Sequence, residues 1–239
     1  MKKLIKYILN IISRVIYKLI PKEFRKNLNQ YDIYPKIIEY SKNETFEHFK
    51  NDLKKSVLFT DNQEIRKYAI KNALSKDKNL EYFYLEFGTY RGTSANFFSQ
   101  YVKKFYTFDS FEGLSTDWAG RFDRPKGSFS NNKRLPKLNS NVEPVIGLVE
   151  DSLDNFLDIH KPKINFIHFD LDIYEPTKFT LSKVKPFLLK DAILIFDDFY
   201  NYFGWDQGEY KALMEVFNKN EFEYKAFALN CKRCVIQVK

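Results

Sequence analysis

Cysteine is nearly absent: the 239 residues contain two, Cys231 and Cys234. One C-x-x-C near the C-terminus cannot build a disulfide framework, and the lack of one suits a reducing cytoplasm. Histidine is as scarce, with only His48, His160 and His168. A structural zinc at the cysteine pair would need two further ligands from that small set. A thioredoxin-like pair sits where a strand feeds a helix, whereas this one falls between two terminal strands, so small side chains in a hairpin are the simpler reading. Long apolar runs are missing from the N-terminal segment as well. Its longest stretch without charge is Tyr7 to Ser13, far below the roughly 20 apolar residues that a membrane span requires. No small-residue cleavage site follows, so a removed signal peptide is not expected.

Broad basicity is the next absence. The formal net charge is +8, but residues 1–28 hold eight basic side chains and one acid, which leaves only +1 for the rest. With no zinc finger and no RNP sequence, the chain has no nucleic-acid footprint and no nucleic-acid partner is expected. At 100° per residue, Leu4, Ile5, Ile8, Leu9, Ile11, Ile12, Val15, Ile16 and Leu19 fall on one half of a helix. Lys2, Lys3, Lys6, Asn10, Ser13, Arg14 and Lys18 fall on the other, and Pro21 ends it. Such a helix can lie in an anionic membrane interface, packs equally well on its own domain, or joins two copies in a homo-oligomer. A cytoplasmic protein is expected, with peripheral contact at the inner face of the membrane as the first of these options.

Behind this N-terminal helical extension, residues 29–78 read as a helical cap, with Asp61 placed to cap a helix and Glu64 three residues on. From residue 79 to 239, strands alternate with helices. Strands are expected at 82–87, 105–109, 142–147, 164–170, 192–197, 222–229 and 234–238. The first five are short apolar runs, as parallel strands buried on both faces require. Helices fit at 93–103, 151–160, 176–189 and 207–218. The last two strands are joined by too few residues for a parallel crossover and must pair antiparallel. The expected fold is α/β and Rossmann-like: a seven-stranded, mostly parallel sheet with an antiparallel last strand. Residues 112–141 are polar, broken by Gly113, Gly120, Pro125, Gly127 and Pro136, and have no period. A loop of that length in a compact domain is often a lid or binding loop.

Glycine is also sparse, with eight in the chain, yet two of them flank the turn Gly88-Thr89-Tyr90-Arg91-Gly92 after the first expected strand of the α/β region. The spacing is G-x-x-x-G, not the G-x-G-x-x-G of dinucleotide sites. Glycines there let the backbone turn tightly and let a ligand approach, and the following helix start supplies free N–H groups. Glu86, an acid ending a buried strand, suits a cationic ligand end such as a methionyl ammonium or a sulfonium. A glycine turn of any α/β protein is the competing explanation. Asp109 ends the next strand about 20 residues on and can accept both hydrogen bonds of a ribose diol, or cap a helix. Two more strand ends carry acids, Asp170-Leu171-Asp172 and Asp197-Asp198. Ligands of open α/β sheets sit beyond the carboxyl ends of the strands, so these acids converge. A hard divalent cation, Mg²⁺ above all, would relieve their repulsion; separate caps and solvated loop acids are the alternative.

Taken together, Leu85 to Ser94, Asp109-Ser110-Phe111-Glu112-Gly113-Leu114, Asp151-Ser152-Leu153, His168 to Thr177 and Ile195 to Tyr200 resemble the macrocin O-methyltransferase family of class I S-adenosylmethionine enzymes. The resemblance covers roughly residues 80–220. It implies Mg²⁺-dependent methyl transfer to a sugar hydroxyl of a small-molecule or glycan acceptor. Glu86, Gly88, Thr89, Gly92, Thr93 and Ser94 would cradle the methionine part of S-adenosylmethionine. Asp109, with Ser110 and Phe111, would hold the ribose, and Asp151 with Ser152 would border the adenine. Asp170 or Asp172 would bind the metal with Asp197 and Asp198. The family's histidine base comes from the segment between the second and third strands. Residues 110–141 contain no histidine, so that base does not carry over.

The base must then come from elsewhere. His168, two residues before Asp170 on the same strand face, is one candidate, though a satisfied core histidine is the plainer reading; Asp170 and Asp172 are the others. Trp118, Arg121, Arg124, Lys133 and Arg134 of the 112–141 loop would suit a phosphate-bearing sugar. Two other classes compete. A metal-dependent glycosyltransferase would use Asp170-Leu171-Asp172 as a D-x-D site, and a non-catalytic membrane-surface module would use residues 1–28.

Overall fold

In the computed structural model, residues 11–13, 15–16, 18–21 and 32–239 are described. The remainder of the expected N-terminal helix, residues 1–10, Arg14 and Tyr17, lies outside them. Residues 11–13, 15–16 and 18–19 are helical, and Ile11, Ile12, Val15, Ile16 and Leu19 are all exposed. Among the described residues no helix is long and apolar enough to cross a membrane.

The chain continues through α1 (Tyr34–Leu53), β1 (Val57–Phe59), α2 (Asn62–Leu74), β2 (Phe83–Phe87), α3 (Thr93–Ser99), β3 (Phe105–Asp109) and β4 (Val142–Ile146). It ends with α4 (Val149–His160), β5 (Ile164–Phe169), α5 (Tyr174–Val184), β6 (Leu188–Phe196), α6 (Glu209–Val216), β7 (Phe222–Ala228) and β8 (Cys234–Val238). Asp61 caps α2 as expected, its carboxylate accepting from the N–H groups of Gln63 at 2.7 Å and Glu64 at 3.0 Å. The region 29–78 is not helical throughout: Val57–Phe59 is an edge strand parallel to β7. Among the described residues the sheet therefore has eight strands where seven were expected, in the order β1-β7-β8-β6-β5-β2-β3-β4. Only β8 runs against its neighbours β6 and β7. A three-residue strand is too short to show a period, and its pairing partner lies far along the chain. The helix expected over 176–189 stops at Val184, because β6 begins at Leu188.

Strand alternation divides the core into two layers. Leu85, Phe87, Tyr106, Phe108, Ile167, Phe169, Leu194 and Phe196 face one way, onto α1, α4, α5 and α6. Tyr84, Phe105, Phe166, Ile193 and Ile195 face the other way, onto Ile65, Ala69, Ile70 and Ala73 of α2 and Ala95 and Phe98 of α3. Phe49 anchors α1, with its ring centroid 5.2 to 5.9 Å from those of Trp205, Phe227, Tyr210, Tyr200, Tyr224 and Phe199. Truncating a buried Phe of this kind costs about 3–5 kcal/mol.

From β2 the chain steps outward to β3 and β4, then returns to place β5 on the other side of β2. The topological switch point thus lies between β2 and β5, where open α/β sheets form their ligand crevice. The loops after these strands touch there. Gly88 has φ +93°, and a Cβ on it would stand 1.9 Å from the Asp170 carbonyl oxygen, so only glycine fits.

Candidate functional site

A cavity of about 350 Å³ opens over the switch point. Gly88 and Tyr90 come from the turn after β2, Asp109 and Ser110 from the end of β3, and Gly147, Leu148, Val149 and Glu150 from the start of α4. Asp170, Asp172, Asp197 and Asp198 form its acidic floor, and Leu114, Trp118, Arg121, Arg124, Phe129 and Lys232 complete the lining. Tyr90, Phe111 and Asp172 hold left-handed backbones, with φ of 47°, 58° and 65°. Strain of this kind in non-glycine residues gathers at binding sites.

Asp109 organises the glycine turn. One carboxylate oxygen accepts from the N–H of Thr89 at 2.8 Å and of Tyr90 at 2.7 Å, and the other from Phe111 N–H at 2.7 Å. It caps the turn and also lines the cavity. Thr89, Gly92, Thr93 and Ser94 form the turn and the start of α3 without lining the cavity, and Phe111 is buried behind it. Asp151 and Ser152 do not line it either. Asp151 is exposed and Ser152 donates to the Leu148 carbonyl at 2.8 Å, so residues 147–150 form that wall instead.

Glu86 is placed differently from its expected role facing a cationic ligand. It is fully buried beneath the cavity, on the α2 and α3 side of the sheet, in register with Thr107 and His168. Thr107 Oγ1 donates to one carboxylate oxygen at 2.9 Å, and the other lies 2.9 Å from His168 Nδ1. His168 Nε2 lies 3.3 Å from Asp197. Burial alone pushes His168 down, but hydrogen bonds to Asp197 and Glu86 and the negative charge around it more than offset this and raise its pKa to about 8. With both nitrogens engaged by carboxylates, the imidazolium has no free site for an acceptor's proton. The catalytic role expected of His168 does not fit its surroundings; it is a satisfied core histidine.

Asp197 is the hub of this buried chain. Arg66 from α2 donates to it at 3.1 Å, Arg233 contacts it through Nε, and Arg233 Nη2 donates at 2.9 Å. Although burial opposes ionisation, His168, Arg233 and Arg66 hold Asp197 well below the usual carboxylate range. Its charge is thereby spent. Asp170, Asp172 and Asp198 each offer an oxygen within 4.8 Å of the others', and His168, Asp170 and Asp197 form a second such group. Burial and then the Asp197 charge push Asp170 up to about 7, while burial and Asp170 push Asp172 up. The Lys232 ammonium lies against Asp198. Three hard oxygen donors with one nearby ammonium suit a divalent cation of the Mg²⁺ type.

Several of these residues escape a reading of motifs. Glu209, fully buried at the start of α6, accepts the Asp198 N–H at 3.0 Å, and burial with the neighbouring acids raises its carboxyl well above the ordinary range. Arg66 does leave a trace, a charged residue on the apolar face formed by Ile65, Ala69, Ile70 and Ala73. Lys232 and Arg233 reach the site because β8 runs antiparallel to β6, which sets the hairpin beside the carboxyl end of β6.

Residues 85–199, just under half of the chain, match the family described as Methyltransferase domain. The fold is similar to CalS11, described as a calicheamicin methyltransferase: TM-score 0.59, 17% identity, covering 88% of this chain and 94% of that one. An apo structure of CalS11, described as a TDP-rhamnose 3'-O-methyltransferase of calicheamicin biosynthesis, gives 0.54 and 18%, covering 88% and 96%. The O-methyltransferase NovP gives 0.52 and 17%, covering 74% and 78%. No curated protein matches the sequence. At these identities the structural likeness is one of fold. The fold is thus the α/β Rossmann-like methyltransferase fold, and residues 85–199 within it match a methyltransferase domain. The narrower macrocin O-methyltransferase assignment rests on the motif resemblance alone.

Proposed function

We propose that the protein is an S-adenosylmethionine-dependent O-methyltransferase that modifies a sugar hydroxyl with the help of Mg²⁺. The observation that carries this reading is that Gly88, Asp109, Asp170, Asp172 and Asp198 share one cavity at the switch point. The likeness to CalS11 and NovP supports a sugar-linked acceptor. Bound S-adenosylmethionine supplies a methyl group on a sulfonium. Asp109 has lone pairs left over from the turn to receive the ribose hydroxyls, and Leu148 to Glu150 border the adenine. Asp170, Asp172 and Asp198 would hold Mg²⁺, which would supply positive charge that makes loss of a proton from an acceptor hydroxyl easier. The acceptor proton passes to a carboxylate oxygen of Asp170 or Asp172, the acids that line the cavity beside the proposed hydroxyl position. The walls formed by Trp118 and Phe129 exclude water and aim the hydroxyl at the methyl carbon, and alignment carries much of the rate of an in-line displacement. Calorimetry with S-adenosylhomocysteine, followed by labelled methyl transfer to deoxyhexose conjugates, tests the assignment. A folded protein that binds no S-adenosylhomocysteine would end it.

The N-terminal segment adds a second element to the proposal. The exposed Ile11, Ile12, Val15, Ile16 and Leu19, within a segment of net charge +7, suit an anionic membrane surface. Co-sedimentation with phosphatidylglycerol vesicles is expected for the full chain and reduced in the I12E/I16E variant. Equal partitioning of the two would remove this element.

A further inference from the structure

The cavity is bipolar: besides its acids it is lined by three cations, of which only Lys232 has a carboxylate ion-pair partner, Asp198, among the described residues. Arg121 and Arg124 come from the loop between β3 and β4, and Lys232 from the β7–β8 hairpin. Aromatic faces hold all three. The Arg121 guanidinium carbon lies 4.9 Å from the Trp118 ring and 5.4 Å from the Tyr202 ring, and that of Arg124 lies 5.0 Å from Phe129. Lys232 Nζ is 5.4 Å from Trp118 and 5.8 Å from Tyr202. Stacking on a ring fixes the plane of a guanidinium but leaves its N–H edge unpaired.

That edge is short of acceptors. Arg124 Nη1 donates only to the neighbouring Asp123 carbonyl, at 2.9 Å. The Nε atoms of Arg121 and Arg124 are sealed from solvent without a hydrogen-bond partner. Neither arginine forms an ion pair with a carboxylate among the described residues, while Arg66 and Arg233, on the other side of the same site, are both paired to Asp197. Buried donors left unmet destabilise the fold, and the Arg124 charge disfavours that of Arg121. Planar forks that line one cavity, with open donors and no carboxylate ion pair, suit the receipt of phosphate oxygens two at a time.

We propose that Arg121, Arg124 and Lys232 form an anion subsite and that the acceptor carries a phosphate or diphosphate group next to the sugar to be methylated. The inference rests on the methyltransferase reading of the cavity and narrows its substrate class. A neutral glycoside would leave the arginines unmet. A sugar phosphate, a nucleotide-linked sugar and an isoprenyl-diphosphate-linked sugar all supply the required chemistry.

The test is calorimetry on the full chain in EDTA, with S-adenosylhomocysteine present, titrating inorganic pyrophosphate into wild type, R121Q, R124Q and R121K. Pyrophosphate should bind wild type, and at least tenfold more weakly to each glutamine variant. R121K, which keeps the charge but not the fork, should fall between. S-adenosylhomocysteine affinity within threefold of wild type in every variant verifies that the fold survives. Parallel titrations with a nucleoside diphosphate and geranyl diphosphate distinguish a nucleotide-linked from a lipid-linked source, according to which gains affinity over pyrophosphate. S-adenosylhomocysteine binding without pyrophosphate binding, or equal pyrophosphate affinity in all variants, would overturn the subsite and leave the methyltransferase reading standing. Pyrophosphate binding that depends on the arginines, in a protein that binds no S-adenosylhomocysteine, would keep the subsite and remove the methyltransferase reading.

Discussion

Glu86 and His168 face each other across β2 and β5, a carboxylate oxygen 2.9 Å from Nδ1, and both side chains are fully buried. The pair begins a chain that runs through Asp197 to Arg66 and Arg233 and ties the glycine turn to the C-terminal hairpin. Placed beneath the cavity, it sets the positions of groups that line the cavity.

Stability should therefore depend on pH through His168. Its pKa is raised from 6.5 to about 8 in the fold, so the native state holds the proton more tightly than the unfolded chain. That contribution is fully present below pH 6.5 and is lost as pH rises through 8, about 2 kcal/mol in all. In EDTA, the difference in melting temperature between wild type and H168Q should shrink from pH 6 to pH 9. A constant difference would mean that His168 is neutral in the fold.

Asp197 and Asp198 should separate into different roles although they are adjacent. D197N leaves Arg66, Arg233 and His168 without their shared carboxylate, and losing one partner of a buried pair costs about 3–5 kcal/mol. D198N should lower melting temperature far less but cut turnover at saturating S-adenosylmethionine by at least 100-fold. EDTA should reduce wild-type turnover, with recovery on adding Mg²⁺. Turnover of D198N close to wild type, or EDTA without effect, would exclude the proposed metal role.

Asp109 and Asp151 make a second contrasting pair. D109A removes the acceptor of three backbone N–H groups in the turn and the proposed ribose contact, and S-adenosylhomocysteine affinity should fall at least tenfold. D151A, at an exposed position away from the cavity lining, should change it less than twofold. Similar losses in both would place the nucleoside elsewhere.

Gly88 tolerates no side chain. In G88A a Cβ meets the Asp170 carbonyl at 1.9 Å on a backbone with φ +93°, so β2 and β5 would have to part at the switch point. A melting-temperature drop together with loss of S-adenosylhomocysteine binding is expected. A stable G88A that binds normally would show that the two loops are not closely packed.

Much of this was legible without coordinates because it is written in neighbouring residues. The apolar runs of β2, β3, β5 and β6, the Asp61 cap and the glycine turn each depend on residues a few positions apart. The acids at the strand ends were legible as a set because strand direction places them at one edge of the sheet. What stayed hidden was which acids are free. Asp170, Asp172, Asp197 and Asp198 read alike in the sequence, but Arg66 and Arg233, 131 and 36 residues from Asp197, pair with that one, and Lys232 pairs with Asp198. Glu86 likewise suits a cationic ligand until His168, 82 residues away, is found to be its partner.

The sequence by itself determined the alternation of strands and helices, the antiparallel end of the sheet and the edge at which chemistry can occur, since hydrophobic period, turn residues and connection length are local quantities. Only the tertiary structure decided the eighth strand, the pairing of Glu86, His168 and Asp197 with one another and with Arg66 and Arg233, and the addition of Lys232 to the cavity lining. The reason is that a charged side chain's availability depends on the opposite charges folded against it, and those come from distant parts of the chain.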